Sequence, residues 1–158
     1  MKEIRMKKSL TIGIMLLIAL GIKAQTTDEI SFYQSIWGME KQSIVESYMD
    51  LSEAQAAVFW PLYDSYELKR KELGKDKVMI LSDYARNYGS LSGDQAKDLI
   101  HRAAANNISS QKLLKKTFNK ISKSLDPITA AKFVQLENYF IVMIQMSIQE
   151  SIPFIDAL

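Results

Sequence analysis

The chain has 158 residues, 47% apolar and 24% charged, which is the composition of one globular domain and neither of two domains nor of a disordered segment. It has no cysteine, so disulfide scaffolds, thiol catalysis and thiolate metal sites are excluded, and its single histidine makes the usual zinc and hydrolase constellations hard to assemble. Its formal charge of +2 belongs to the whole chain, and the first segment alters it.

That segment opens with Lys2, Arg5, Lys7 and Lys8, opposed only by Glu3, and continues as an apolar run from Leu10 to Ile22. A basic start, a short apolar core and a small residue before a polar stretch describe a secretory signal peptide, with cleavage expected after Ala24. An anchoring helix is the alternative, but the run would cover only about 20 Å, short of a ~30 Å hydrocarbon core. No stable membrane span is therefore expected. Removing residues 1–24 takes five of the 20 basic and one of the 18 acidic residues, leaving 15 against 17 and a formal −2. The basic balance of the precursor thus carries no argument for nucleic acid, and export makes nucleic acid a poor partner. The expected mature protein is one exported all-helical domain, residues 25–158.

From Thr26 the apolar residues recur at steps of three and four, which predicts helices and no strands. The first helix is expected from about Asp28 to Met49, with Ile30, Tyr33, Trp37, Ile44 and Tyr48 on its stripe. The second starts at Ser52, an N-cap whose partner Gln55 stands three residues on, as a capping box requires. Its stripe of Phe59, Leu62, Tyr63, Tyr66, Arg70, Leu73, Val78, Leu81, Ala85 and Tyr88 runs through Pro61, which is read as a kink and not as a boundary. Gly74 is a second place for a bend or break.

The same start recurs at Ser92 and Gln95 after the Gly89-Ser90 break, and a third start has Asp126 as N-cap with Pro127 at the first helical position. The third helix is expected from Asp94 to Lys123, with Ile100, Ala104, Asn107, Gln111, Leu114, Phe118, Ile121 and Leu125 inward and a loosely packed polar centre. The fourth runs from Pro127 to about Glu150 and is apolar almost all round from Tyr139 to Ile148, which predicts burial in a core or a dimer interface. The closing Pro153-Phe154-Ile155 is expected to pack back on the helices. Short connections make the whole an antiparallel series of four helices.

Little in this pattern carries bond-making chemistry. His101 has only Asp98 nearby and reads as structural or solvated. Met143 and Met146 read as core, and Glu67 with Lys71 as a surface ion pair. Phosphate loops, nucleophile elbows and His-Glu-x-x-His motifs are absent from the sequence. No enzyme activity, cofactor or metal is expected. One charge pattern does stand out: no acid lies between Asp98 and Asp126, while Arg102, Lys112, Lys115, Lys116, Lys120 and Lys123 do. Lys112, Lys116, Lys120 and Lys123 fall within about 80° on a helical wheel, opposite Leu114, Phe118 and Ile121. Solvated surface is the plain reading; a basic platform for an anionic or partly unfolded protein is the sharper one.

The two starts, Leu51-Ser52-Glu53-Ala54-Gln55 and Leu91-Ser92-Gly93-Asp94-Gln95, resemble the Leu-Thr-x-x-Gln motif of the Spy and CpxP family of periplasmic proteins, with serine in place of threonine. Phe59-Trp60-Pro61-Leu62-Tyr63 after the first, and Ala131-Lys132-Phe133 with Gln135-Leu136-Glu137 after the last start, are similar to Bacteroidetes-type members. The resemblance implies an elongated antiparallel helical hairpin bundle, often a cradle-shaped homodimer. It further implies an ATP-independent chaperone, a stress-signalling inhibitor or an envelope metal sensor. His101 alone cannot supply the sensing ligands, so metal sensing is the weakest of these. Two functions remain as expectations: a chaperone holding many clients on a basic, partly apolar concave face with adaptable Phe59, Tyr63 and Tyr66, or a regulatory module with one specific envelope partner.

Overall fold

A computed structural model describes residues 40–155. The expected signal segment and the stripe residues Ile30, Tyr33 and Trp37 lie outside the described residues. Among those described the chain is all-α, as the three-and-four periodicity predicts. Residues 40–49 form α1, followed by α2 (Glu53–Asn87), a 3₁₀ turn (Tyr88–Ser90), α3 (Gly93–Ser124) and α4 (Pro127–Ser151).

The boundaries follow from capping chemistry. Ser52 and Ser92 each accept from the amide of the residue three ahead, and the Gln55 and Gln95 side chains return to the serine amides at 3.1 and 2.9 Å. Two of the orphan amides at each helix start are thereby satisfied. Asp126 caps α4 by accepting from the amides of Ile128 and Thr129, both at 2.8 Å, and from the Thr129 hydroxyl at 2.6 Å. Hydrogen bonding to Thr129 holds its carboxyl below the usual carboxylate range. α2 continues without interruption through Pro61 and Gly74. The missing Pro61 donor is tolerated because the stripe on both sides of it, Phe59 and Tyr63, is anchored in the core.

The helices alternate in direction. α3 packs antiparallel to α2, with Gln95 bonded to Asn87, Arg102 paired with Asp83 and Asn106 bonded to Leu73. α4 returns beside α3 and runs parallel to α2, Phe133 lying edge-on to both Phe59 and Tyr66. α1 fills the remaining side, antiparallel to both: Tyr48 meets Gln135, Lys132 donates to the Met49 carbonyl at 2.6 Å, and Lys41 reaches Glu67 and Glu137. The main core lies where all four meet, built from Val45, Met49, Phe59, Tyr63, Tyr66, Leu114, Ile121, Ala130, Phe133, Leu136 and Phe140. Beyond it the α2–α3 hairpin is thin, with Ile80 and Leu99 buried apart from that cluster.

Several expectations need correction. The inward residue at the centre of α3 is Asn106, not Asn107, and its side chain donates to the Leu73 carbonyl at 2.8 Å. Ile100, Ala104, Asn107 and Gln111 are exposed, because this half of α3 packs against α2 through Leu99, Arg102 and Asn106. The second half of α4 is not enclosed in the single chain: Val142 is 59% and Met146 63% exposed, so Met146 is not core. The tail is tied by its backbone, the Tyr84 and Tyr88 hydroxyls donating to the carbonyls of Pro153 and Phe154 at 2.7 and 2.9 Å. The side chains of Phe154 and Ile155 nevertheless stay exposed. Among the described residues no helix is long and apolar enough to cross a membrane.

Candidate functional site

The basic face forms a shallow open groove on α3, lined by Lys112, Lys115, Lys116, Asn119, Lys120 and Lys123. Every one of these side chains comes from one helix and is exposed. Among the described residues the groove is a surface feature of α3 alone. α3 orients it by burying Leu114, Thr117 and Ile121 on the opposite side. Lys123 stands in the last turn, where a cation complements the negative end of the helix dipole. Among the described residues none of the five lysines makes an ion pair with a carboxylate, and Asp126, the nearest acid along the chain, is engaged as the α4 cap.

Arg102 is not part of this groove. It lies about 15 Å back along the helix from Lys112, bridging Asp83 at 2.9 Å and Asp98 at 3.2 Å. Hydrogen bonding to Arg102, helped by Arg86, outweighs desolvation and holds the Asp83 carboxyl below its ordinary range. Ser52, Gln55, Ser92, Gln95 and Asp126 occupy the capping positions that their spacing predicted. His101 is exposed, and Asp98 accepts from Arg102. Among the described residues no three acidic or histidine side chains converge as a metal site would need.

The most concentrated polar chemistry is inside the core, where sequence reasoning did not look. Lys41 is 1% exposed, and its ammonium lies 2.6 Å from Glu67 Oε1. It also lies 2.7 and 2.9 Å from the two oxygens of Glu137, with the directed hydrogen bond going to Oε2. Arg70 donates to both Glu67 oxygens at 2.7 and 2.9 Å, and the Tyr66 hydroxyl donates to Glu137 Oε2 at 2.8 Å. The rings of Tyr63, Tyr66 and Phe140 surround the ammonium at 5.2 to 5.7 Å, within cation–π range. Two cations face two anions, so the cluster is neutral as a whole.

Burial pushes Glu67 up, but hydrogen bonds from Arg70 and the charge of Lys41 outweigh it and hold the carboxyl below its usual value. Burial, with the neighbouring glutamates adding to it, raises both tyrosine hydroxyls far above their ordinary range. They stay protonated, and Tyr66 acts as a donor. This arrangement ties α1, α2 and α4 together. Glu67 is thus not the surface partner of Lys71, and Phe59, Tyr63 and Tyr66 are buried, not available to re-pack around clients. The sequence signal was present: Lys41 stands four before Val45 and eight before Met49, Glu67 beside Tyr66, and Glu137 between Phe133 and Phe140. Each is a charge on an apolar stripe.

Compared with family models, curated proteins and solved structures, the chain matches none.

Proposed function

We propose that this protein is an exported, non-enzymatic helical protein that captures anionic or partly unfolded proteins in the envelope, in the manner of the Spy and CpxP chaperones that its capping motifs resemble. The observation that carries the reading is the run of five unpaired lysines along one exposed groove of α3, with no acid between Asp98 and Asp126. Concentrated charge of one sign accelerates the encounter with chains of the opposite sign. Exposed Ile108, one turn before Lys112, supplies apolar contact beside the charge. Flexible lysine stems on an open surface favour many weak partners over one tight one.

The test is suppression of aggregation of an unfolded acidic test protein by residues 25–158 at stoichiometric ratio, without nucleotide. Suppression that is abolished by added salt or by Lys112→Glu/Lys116→Glu/Lys120→Glu supports the reading. Failure with several clients removes it.

A further inference from the structure

We infer that the exposed apolar flank of α4 carrying Val142 and Met146 is a docking surface for residues 28–39 of the same chain, laid along it as a continuation of α1. α1 runs antiparallel to α4, and its first described residue is Glu40. Next to it, the Lys41 ammonium lies 2.7 Å from a Glu137 oxygen and 5.2 Å from the Phe140 ring centroid. The described part of α1 therefore ends about level with Phe140, while α4 continues to Ser151, about 17 Å further. Residues 28–39 supply about 18 Å as helix, which is the length required.

Phase and register agree on which surfaces meet. α1 buries Lys41, Val45 and Met49, at steps of four. Trp37, Tyr33 and Ile30 precede Lys41 by four, eight and eleven residues, which places them on that same face of one continuous helix. On α4, α1 is bonded to Lys132 and Gln135. Val142 stands seven residues past Gln135 and Met146 fourteen past Lys132, so both lie on the flank that α1 follows. Equal rise along the two helices, carried on from the Tyr48–Gln135 and Lys41–Glu137 contacts, sets Trp37 level with Met143 and Met146 and Tyr33 level with Ile148. A second copy would have to lose its translational and rotational freedom to cover this flank, whereas residues 28–39 are held beside it by α1. This inference does not depend on the lysine groove.

The chain has no cysteine and two tryptophans, Trp37 and Trp60, so both can serve as reporters. Residues 25–158 carrying Trp37→Cys with Met143→Cys, or with Met146→Cys, are oxidised in dilute solution. At least one pair should close a disulfide within a single chain, at monomer mass, whereas Trp37→Cys with Ile108→Cys on α3 should stay reduced. Thiols that stay free in both α4 pairs overturn the proposal, and disulfides formed only between chains overturn it in favour of a second copy. Trp60→Phe gives the second measurement, with Trp37 as the sole indole. At concentrations where light scattering finds monomer, its emission should be that of a buried ring and should move to longer wavelength when Val142→Asp and Met146→Asp are added. A water-exposed emission in the folded Trp60→Phe protein, or an emission that those two substitutions leave unmoved, overturns the proposal whatever the disulfides show.

Discussion

Lys41 and Glu137 are separated by 96 residues in sequence, yet the ammonium lies 2.7 Å from a carboxylate oxygen, both side chains 1% exposed. A buried pair of this kind ties the first described helix to the last, and it is unforgiving. Its attraction offsets a desolvation cost that remains when either partner is lost.

Lys41→Met should therefore destabilise the fold by about 3–5 kcal/mol, since Glu67 and Glu137 stay buried without the cation they share. Lys41→Met combined with Glu137→Gln should recover part of that loss by removing one stranded anion. Urea denaturation of residues 25–158 measures both.

Acid should weaken the protein partly through Glu67. Its carboxyl is held below its ordinary value in the folded state, so the unfolded chain takes up the proton first as the pH falls. The stabilisation is complete above the unfolded value of about 4.3 and drains away as the pH drops through the folded one. Glu67→Gln should lower stability at neutral pH and flatten the dependence of the urea midpoint between about pH 5 and pH 3.

Asn106→Ala should cost about 1–2 kcal/mol by removing the bond to the Leu73 carbonyl and leaving a gap between α2 and α3. Asn107→Ala, one position along and exposed, should lie within about 0.5 kcal/mol of the unmodified protein. Thermal melts of the two variants side by side test which residue faces inward.

Reversing charge at Lys112, Lys116 and Lys120 should leave the melting behaviour nearly unchanged, because none of the three is buried or paired. Retention on an anionic column at low salt should fall sharply in the same variant. A large loss of stability instead would mean that the groove supports the fold.

The helices were legible because capping chemistry is local. Ser52 with Gln55, Ser92 with Gln95 and Asp126 before Pro127 each mark a start that the structure keeps, and Pro61 does not end its helix. Facing was legible only where the stripe was apolar. In the second half of α3, Leu114 and Ile121 point inward as expected; in the first half small and polar residues gave the stripe no contrast, and it slipped by one position to Asn106. The internal cluster was missed for a different reason. A charged residue on an apolar stripe looks like an interruption until its counter-ion is known, and Glu137 lies too far from Lys41 in sequence for spacing to join them. The lysine groove was visible as a charge run, but the structure separates Arg102 from it because Asp83, on another helix, is its partner.

The three polar links between α2 and α3, Asn87 with Gln95, Asp83 with Arg102 and Leu73 with Asn106, are spread along the hairpin like the teeth of a rack. Advancing one helix by a single turn of about 5.4 Å would disengage all three together. Losing one link therefore leaves two others holding the same register, so the hairpin keeps its alignment against any single substitution among them.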